Sequence, residues 1–176
     1  MRIHSIRILG DKKDNLYFLF LLALVIILKL PTMNLDYHWD AVIYAAQSKY
    51  YSINGIFSIP PGIIVHTPML TWTLAFLYRI FGETPLISNF VIAIFSFIGV
   101  YFTYLLGSHI YNRKVGIIAS LFLFFSPVYF SLSGQLLFDV PLVALTVSTI
   151  YFYLKKNTVP YLISGSLLVL TKEPGF

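Results

Sequence analysis

The chain has 176 residues, of which 58% are hydrophobic and 11% charged, and its formal net charge is +5. A mean hydropathy of +0.81 and long uncharged runs exclude a soluble globular domain. The absence of cysteine excludes disulfides and thiolate metal sites. Because the basic residues fall in short groups between apolar segments, the positive charge does not indicate nucleic-acid binding. The composition predicts an all-α, polytopic membrane bundle.

The first apolar segment follows a basic N-terminus. Residues 1–15 carry four cations, and no small-residue cleavage site follows the apolar run. We therefore expect residues 16–32 to be a retained signal anchor, with residues 1–15 in the cytoplasm. Lys29, near the end of this span, is expected to extend its side chain to the membrane interface.

Four further spans are expected after a long outer loop. About 20 apolar residues cross the roughly 30 Å of hydrocarbon in a bilayer. The uncharged runs that meet or approach this length cover residues 86–107, 115–132, 140–154 and 159–170. The last of them is short, and we expect it to be an incomplete span in a truncated chain. Residues 86–176 are therefore predicted to form a set of spans joined by short loops.

Residues 67–81 are also apolar, and the distribution of charge decides their placement. If they span, the 12 lysines and arginines divide six against six across the membrane. If they lie along the surface, eight fall inside and four outside, as the positive-inside rule expects. Trp72, Tyr78 and Arg79 are also typical of an interface. The sequence therefore predicts five spans and an outer loop over residues 33–85 that contains juxtamembrane helices.

The outer loop is predicted to begin with a helix at Asp40 and to end it near Asn54-Gly55. Trp39 and Ile43 belong to an apolar stripe that suits a bilayer surface, whereas Tyr44 follows Asp40 on the opposite face.

Asp40 and Asp139 each lie at the end of an apolar segment, and the five-span arrangement places both on the extracytoplasmic side. A carboxylate beside a bilayer is costly unless it is solvated or paired, which makes both acids functional candidates. Each is also a candidate helix N-cap, and the two interpretations are compatible. Two carboxylates at one rim could hold a divalent metal such as Mg or Mn. By themselves, His66 and Lys172 are typical of a polar loop residue and a lysine at the end of a span.

The order of motifs resembles the N-terminal module of GT-C glycosyltransferases, specifically the protein mannosyltransferase and aminoarabinose transferase-like group. The resemblance runs from about Leu35 to the chain end. The motifs that carry it are His66-Thr67-Pro68-Met69-Leu70, Phe81-Gly82, Leu106-Gly107, Tyr111-Asn112-Arg113-Lys114-Val115-Gly116, Ser126-Pro127 and Phe138-Asp139-Val140-Pro141-Leu142.

The resemblance implies inverting transfer of a sugar from a polyprenyl-phosphate donor in the membrane to a protein, lipid or glycan acceptor on the extracytoplasmic face. It implies that Asp40 activates the acceptor and that Asp139 is the second acid of the site. It also places His66 and Lys172 near the lipid phosphate. Asn89 stands where the group often has an arginine, which leaves Arg79 as a further candidate cation for the phosphate.

Two other classes of function are compatible with a membrane bundle. A transporter usually carries ionisable residues near the middle of its spans, whereas this chain carries its acids at segment ends. A non-catalytic remnant or membrane subunit is the second alternative, because enzymes of the resembling group have many further spans.

Overall fold

A computed structural model describes residues 12–62 and 68–172, and every regular element in these two ranges is helical. The predicted all-α class is therefore confirmed. The helices in chain order are α1 Lys12–Lys29, α2 Asp40–Asn54, α3 Pro68–Phe81, α4 Pro85–Ile110, α5 Arg113–Phe125, α6 Pro127–Leu132, α7 Asp139–Leu154 and α8 Thr158–Val169, with a 3-10 turn over Leu30–Thr32.

Two helices in the described ranges are both long enough and apolar enough to cross a membrane. They are α1 with its 3-10 turn, Lys12–Thr32, and α4, Pro85–Ile110. Helices α7 and α8 are apolar but have 16 and 12 residues, which corresponds to about 24 Å and 18 Å. Two of the five expected spans thus have the dimensions of a spanning helix, and the remaining three stay a prediction.

The single span expected over residues 115–132 is two helices. Helix α5 ends at Phe125, and α6 begins at Pro127 after the extended residue Ser126. Proline lacks the N–H that a continuous helix needs and disfavours the helical conformation at the residue before it. The Ser126 hydroxyl accepts a hydrogen bond from the Tyr129 amide at 3.3 Å, which caps the new helix.

Contacts between helices define one end of the bundle, here called the basic end. The Tyr104 hydroxyl of α4 donates to Asp14 of α1 at 2.5 Å, and Arg113 of α5 lies 3.6 Å from the same carboxylate. His109 of α4 packs against Tyr151 of α7. The start of α1, the α4–α5 turn and the end of α7 therefore lie together. The cations of this end are Lys12, Lys13, Arg113, Lys114, Lys155 and Lys156.

The opposite end, here called the carboxylate end, gathers the end of α1 and the starts of α4 and α7. Asn89 of α4 hydrogen-bonds the backbone that leaves α1, and Lys29 of α1 reaches the carbonyl oxygen of Phe130 in α6. Helices α2 and α3 pack against each other at this end. The acids of this end are Asp36, Asp40, Glu83 and Asp139.

Helices α4 and α5 approach closely at a pair of glycines. A Cβ built on Gly107 would lie 2.9 Å from the Cα of Gly116. A Cβ on Gly116 would collide with the Tyr104 carbonyl oxygen and the Ser108 hydroxyl, and would lie 2.9 Å from the Ser108 nitrogen. Since two of these atoms belong to the backbone, the neighbouring helix cannot yield by a rotamer change alone.

We predict that Gly116→Ala destabilises the fold by about 1–3 kcal/mol, because the methyl group overpacks the contact between α4 and α5. Gly165→Ala is the matched control, since a Cβ there would lie 3.7 Å from the nearest side chain. In a helix, alanine in place of glycine gains about 0.5–1 kcal/mol. Thermal unfolding in detergent measures both variants, and equal melting temperatures would contradict the close approach.

Candidate functional site

An ion pair joins two of the residues singled out in the sequence. Lys172 Nζ lies 3.0 Å from Asp139 Oδ1, and both side chains are partly exposed. Asp139 is the first residue of α7, and Lys172 follows the end of α8. Because α7 and α8 pack antiparallel, the start of one helix and the end of the other lie together. By itself, Lys172 is typical of a solvated lysine at the end of a span. In the structure it is the partner of the candidate acid Asp139.

Neither candidate acid caps its helix, so the N-cap interpretation is wrong for both. The N-cap residues are Trp39 for α2 and Phe138 for α7, and neither makes a side-chain capping bond. Asp40 and Asp139 instead occupy the first turn. A negative charge there is favourable because the helix N-terminus carries partial positive charge. Trp39 has φ +55°, a left-handed value uncommon outside glycine, and is 89% exposed.

One aromatic contact connects α2 to the start of α7. The rings of Tyr44 and Phe138 meet edge to face, with centroids 4.3 Å apart, and both side chains are buried. Tyr44 follows Asp40 by one helical turn, about 6 Å along the axis, and Phe138 directly precedes Asp139. The two carboxylates therefore flank a single buried contact at the carboxylate end.

The face of α2 that carries Tyr44 packs against the rest of the protein. Its outward face carries Trp39 and Ile43, which are exposed as expected for a stripe against lipid. The buried residues of the inward face are Ala41, Tyr44, Ala45, Gln47, Ser48 and Tyr51.

Helix α3 begins beside the end of α8. The Met69 amide donates to the Leu170 carbonyl oxygen at 3.0 Å, two residues before Lys172. His66 lies outside the described residues. Arg79 is exposed in the last turn of α3, ten residues or about 15 Å along the helix from Met69. The described residues thus bring Lys172, but not Arg79, to the carboxylate of Asp139.

Lys29 is buried inside the bundle, and the expectation that it extends to the interface is wrong. Its ammonium donates to the Phe130 carbonyl oxygen at 2.5 Å and lies 3.5 Å from the centroid of the Phe130 ring. The side chain is only 2% exposed. A cation over a ring face is stabilised most where water is excluded. No pattern in the sequence indicates this role, since a lysine at the end of a span usually reaches water.

Asn89 supports the backbone at the exit of α1. Its side-chain amide donates to the carbonyl oxygens of Met33 and Leu35 at 3.1 Å each, and lies 3.4 Å from that of Thr32. The Met33 and Leu35 carbonyls lie where the chain leaves helical geometry, so they lack the partners that a continued helix would supply. Asn89, which stands where the resembling group often has an arginine, therefore forms hydrogen bonds that support the local backbone.

A triangle of hydroxyl groups fixes the segment before α2 to α3 and α4. The Tyr37 hydroxyl lies 3.0 Å from that of Tyr78 and 2.9 Å from Ser88 Oγ, and the Tyr78 and Ser88 oxygens are 2.5 Å apart. Burial raises the pKa of Tyr78, and the nearby Tyr37 adds to the rise. Tyr78 therefore stays neutral and can donate throughout the physiological pH range.

In residues 12–62 and 68–172, no group of three or more His, Cys, Asp or Glu side chains is placed to hold a metal ion. Asp139 already has a cationic partner in Lys172, which a metal would have to displace. A divalent ion shared by Asp40 and Asp139 remains a prediction of the sequence.

These features define a helical membrane protein with paired charges and a second carboxylate at one end. A family model described as dolichyl-phosphate-mannose-protein mannosyltransferase matches residues 65–170. The chain belongs to this family of GT-C type membrane glycosyltransferases. The matched region includes Arg79 and Asp139, whereas Asp40 and Lys172 lie outside it. Neither a curated protein nor a solved structure matches the chain.

We predict that Asn89→Leu destabilises the protein by about 1–3 kcal/mol, because buried carbonyl groups at the α1 exit lose their donor. Leucine keeps the approximate volume, so the loss reports hydrogen bonding and not a cavity. Asn54→Leu is the control, since Asn54 makes an exposed bond at the end of α2. Chemical unfolding in detergent measures both variants. An Asn89→Leu protein as stable as the control would contradict the assigned role.

Proposed function

We propose that this chain is the donor- and acceptor-binding module of an inverting glycosyltransferase that uses a polyprenyl-phosphate-linked sugar. Its acceptor is a protein, lipid or glycan on the extracytoplasmic side of the membrane. The family supplies the class of enzyme, and the arrangement at the carboxylate end supports the assignment of individual residues. The observation that carries the proposal is the contact between Tyr44, one helical turn after Asp40, and Phe138, the residue before Asp139. This contact supports a site shared by the two acids.

The proposed reaction is a single displacement. The acceptor oxygen or nitrogen attacks the anomeric carbon of the sugar opposite to the phosphate, and the bond from that carbon to the phosphate oxygen breaks. The acceptor proton passes to the carboxylate of Asp40, and the electron pair leaves with polyprenyl phosphate. A positioned general base typically contributes about 10²–10⁴-fold to the rate.

The leaving phosphate needs cations more than it needs an acid. Lys172 is partly exposed beside Asp139, so its ammonium can contact a phosphate while the carboxylate holds it in place. We assign His66 and Arg79 as additional cations that bind the donor phosphate. We assign Tyr44 as a substrate-binding residue that lines the site between the two acids. Electrostatic stabilisation by positioned charges is usually the largest contribution in such sites.

We predict that Asp40→Asn lowers kcat of the whole protein by about 100-fold or more, because the amide cannot accept the acceptor proton. Asp139→Asn is expected to raise KM for the donor about 10-fold or more, because Lys172 loses a charged hydrogen-bond partner. The assay follows sugar transfer from a polyprenyl-phosphate-linked donor in membranes.

Asp36→Asn is the control, because Asp36 is an exposed acid in the same segment without an assigned role. It should keep activity within about twofold, as exposed substitutions away from a site usually do. Full activity in both the Asp40 and Asp139 variants would contradict the proposed site. The donor assignment would be contradicted if the wild-type protein transferred sugar from soluble nucleotide donors alone.

The proposal requires both carboxylates to face one compartment, and the cysteine-free sequence allows a direct measurement. We predict that Asp36→Cys and Gln135→Cys react with a membrane-impermeant maleimide on intact cells. Lys114→Cys and Lys156→Cys should react only after the membrane is permeabilised. Labelling of positions 36 and 135 from opposite sides would contradict the shared site.

A further inference from the structure

We propose that the basic end binds the headgroups of anionic phospholipids, with the turn between α7 and α8 as the principal contact. This inference concerns the end of the bundle opposite to the candidate site and does not depend on the proposed reaction. It rests on the separation of charge along the bundle and on a cavity at that turn.

Charge is distributed unequally between the two ends. Among the described residues, the basic end has six cations and one acid, Asp14, giving a formal charge of +5. The carboxylate end has four cations and four acids and is neutral. The whole net charge of the described chain therefore lies at the basic end. The cations of the neutral end are Lys29, Lys49, Arg79 and Lys172.

The single described acid of the basic end is already engaged. Asp14 accepts a hydrogen bond from Tyr104 and pairs with Arg113, whose guanidinium also donates to the Lys13 carbonyl oxygen. The lysines that remain on the surface are exposed and lie on three separate segments. They are Lys12, Lys13, Lys114, Lys155 and Lys156. A ring of exposed ammonium groups facing a bilayer attracts anionic headgroups.

The α7–α8 turn adds a cavity to this charge. A cavity of about 280 Å³ is lined by Phe152, Tyr153, Lys156, Asn157, Thr158 and Tyr161. The Tyr153 and Tyr161 rings lie 5.6 Å apart, and tyrosine is enriched at the headgroup level of membranes.

The backbone of the turn presents Lys156 to the cavity. Lys156 has φ +54°, and the amides of Lys156 and Asn157 donate to Tyr153 and Phe152, so the turn is tightly closed. Lys155 lies 5.9 Å from the Tyr151 ring centroid, beside the same turn. Two adjacent lysines, two tyrosines and a cavity thus offer charge and amphipathic surface to one headgroup.

The test measures lipid binding by the purified protein in detergent, using phosphatidylglycerol and phosphatidylcholine with identical acyl chains and native mass spectrometry. We expect phosphatidylglycerol to bind in preference, and its binding to weaken as ionic strength rises. The combined change Lys155→Gln and Lys156→Gln should weaken phosphatidylglycerol binding about 25-fold, since each lysine near an anionic surface contributes about fivefold.

The charge-matched control for the single change Lys156→Gln is Lys49→Gln, at an exposed cation of the carboxylate end. It removes the same charge and should leave phosphatidylglycerol binding within about twofold. Lys156→Arg should also keep binding, which separates a binding defect from a folding defect. Equal binding of the two lipids, or equal losses in the Lys156→Gln and Lys49→Gln variants, would overturn the proposal.

Discussion

A chain that folds in hydrocarbon must satisfy its backbone polar groups internally wherever it departs from a helix. The exit of α1 shows how this is done, because Asn89 supplies hydrogen bonds to Met33 and Leu35 and Lys29 supplies one to Phe130. These bonds tie the end of α1 to α4 and to α6. Since α6 leads directly into the segment before Asp139, the same bonds help to fix where the candidate site is formed.

Local signals in the sequence were sufficient to predict helices α2 and α3. The bounds of α2 were predicted from its apolar stripe and from the stop signal Asn54-Gly55, and α3 over Pro68–Phe81 lies within one residue of its predicted bounds. The break at Ser126-Pro127 was missed, although a serine followed by proline is a helix-start signal. Pairings between distant residues were not readable. Neither the bond from Lys29 to Phe130 nor the pair of Lys172 and Asp139 has a signature in the linear pattern, because both depend on which helices pack together.

The packing of α7 against α4 sets the depth of Asp139. A Cβ on Gly99 would lie 3.4 Å from the Cα of Ala144, so these two residues lie at the same height along the bundle. Asp139 precedes Ala144 by five residues, about 7.5 Å, whereas Pro85 precedes Gly99 by fourteen, about 21 Å. For helices packed nearly parallel, α7 therefore begins about 13 Å deeper than α4. Helices α2 and α3 pack over the recess that this difference in depth leaves. Their contacts there are those of Tyr44 with Phe138 and of Met69 with Leu170.

A charge in a recess between helices loses part of its hydration, and Asp139 offsets this loss through its pair with Lys172. The lysines of the opposite end are exposed, where water stabilises their charge. On the proposed function, a donor phosphate entering the recess contacts Lys172 while Asp139 holds the ammonium in place. The pair thus keeps the cation positioned both before and after the donor arrives.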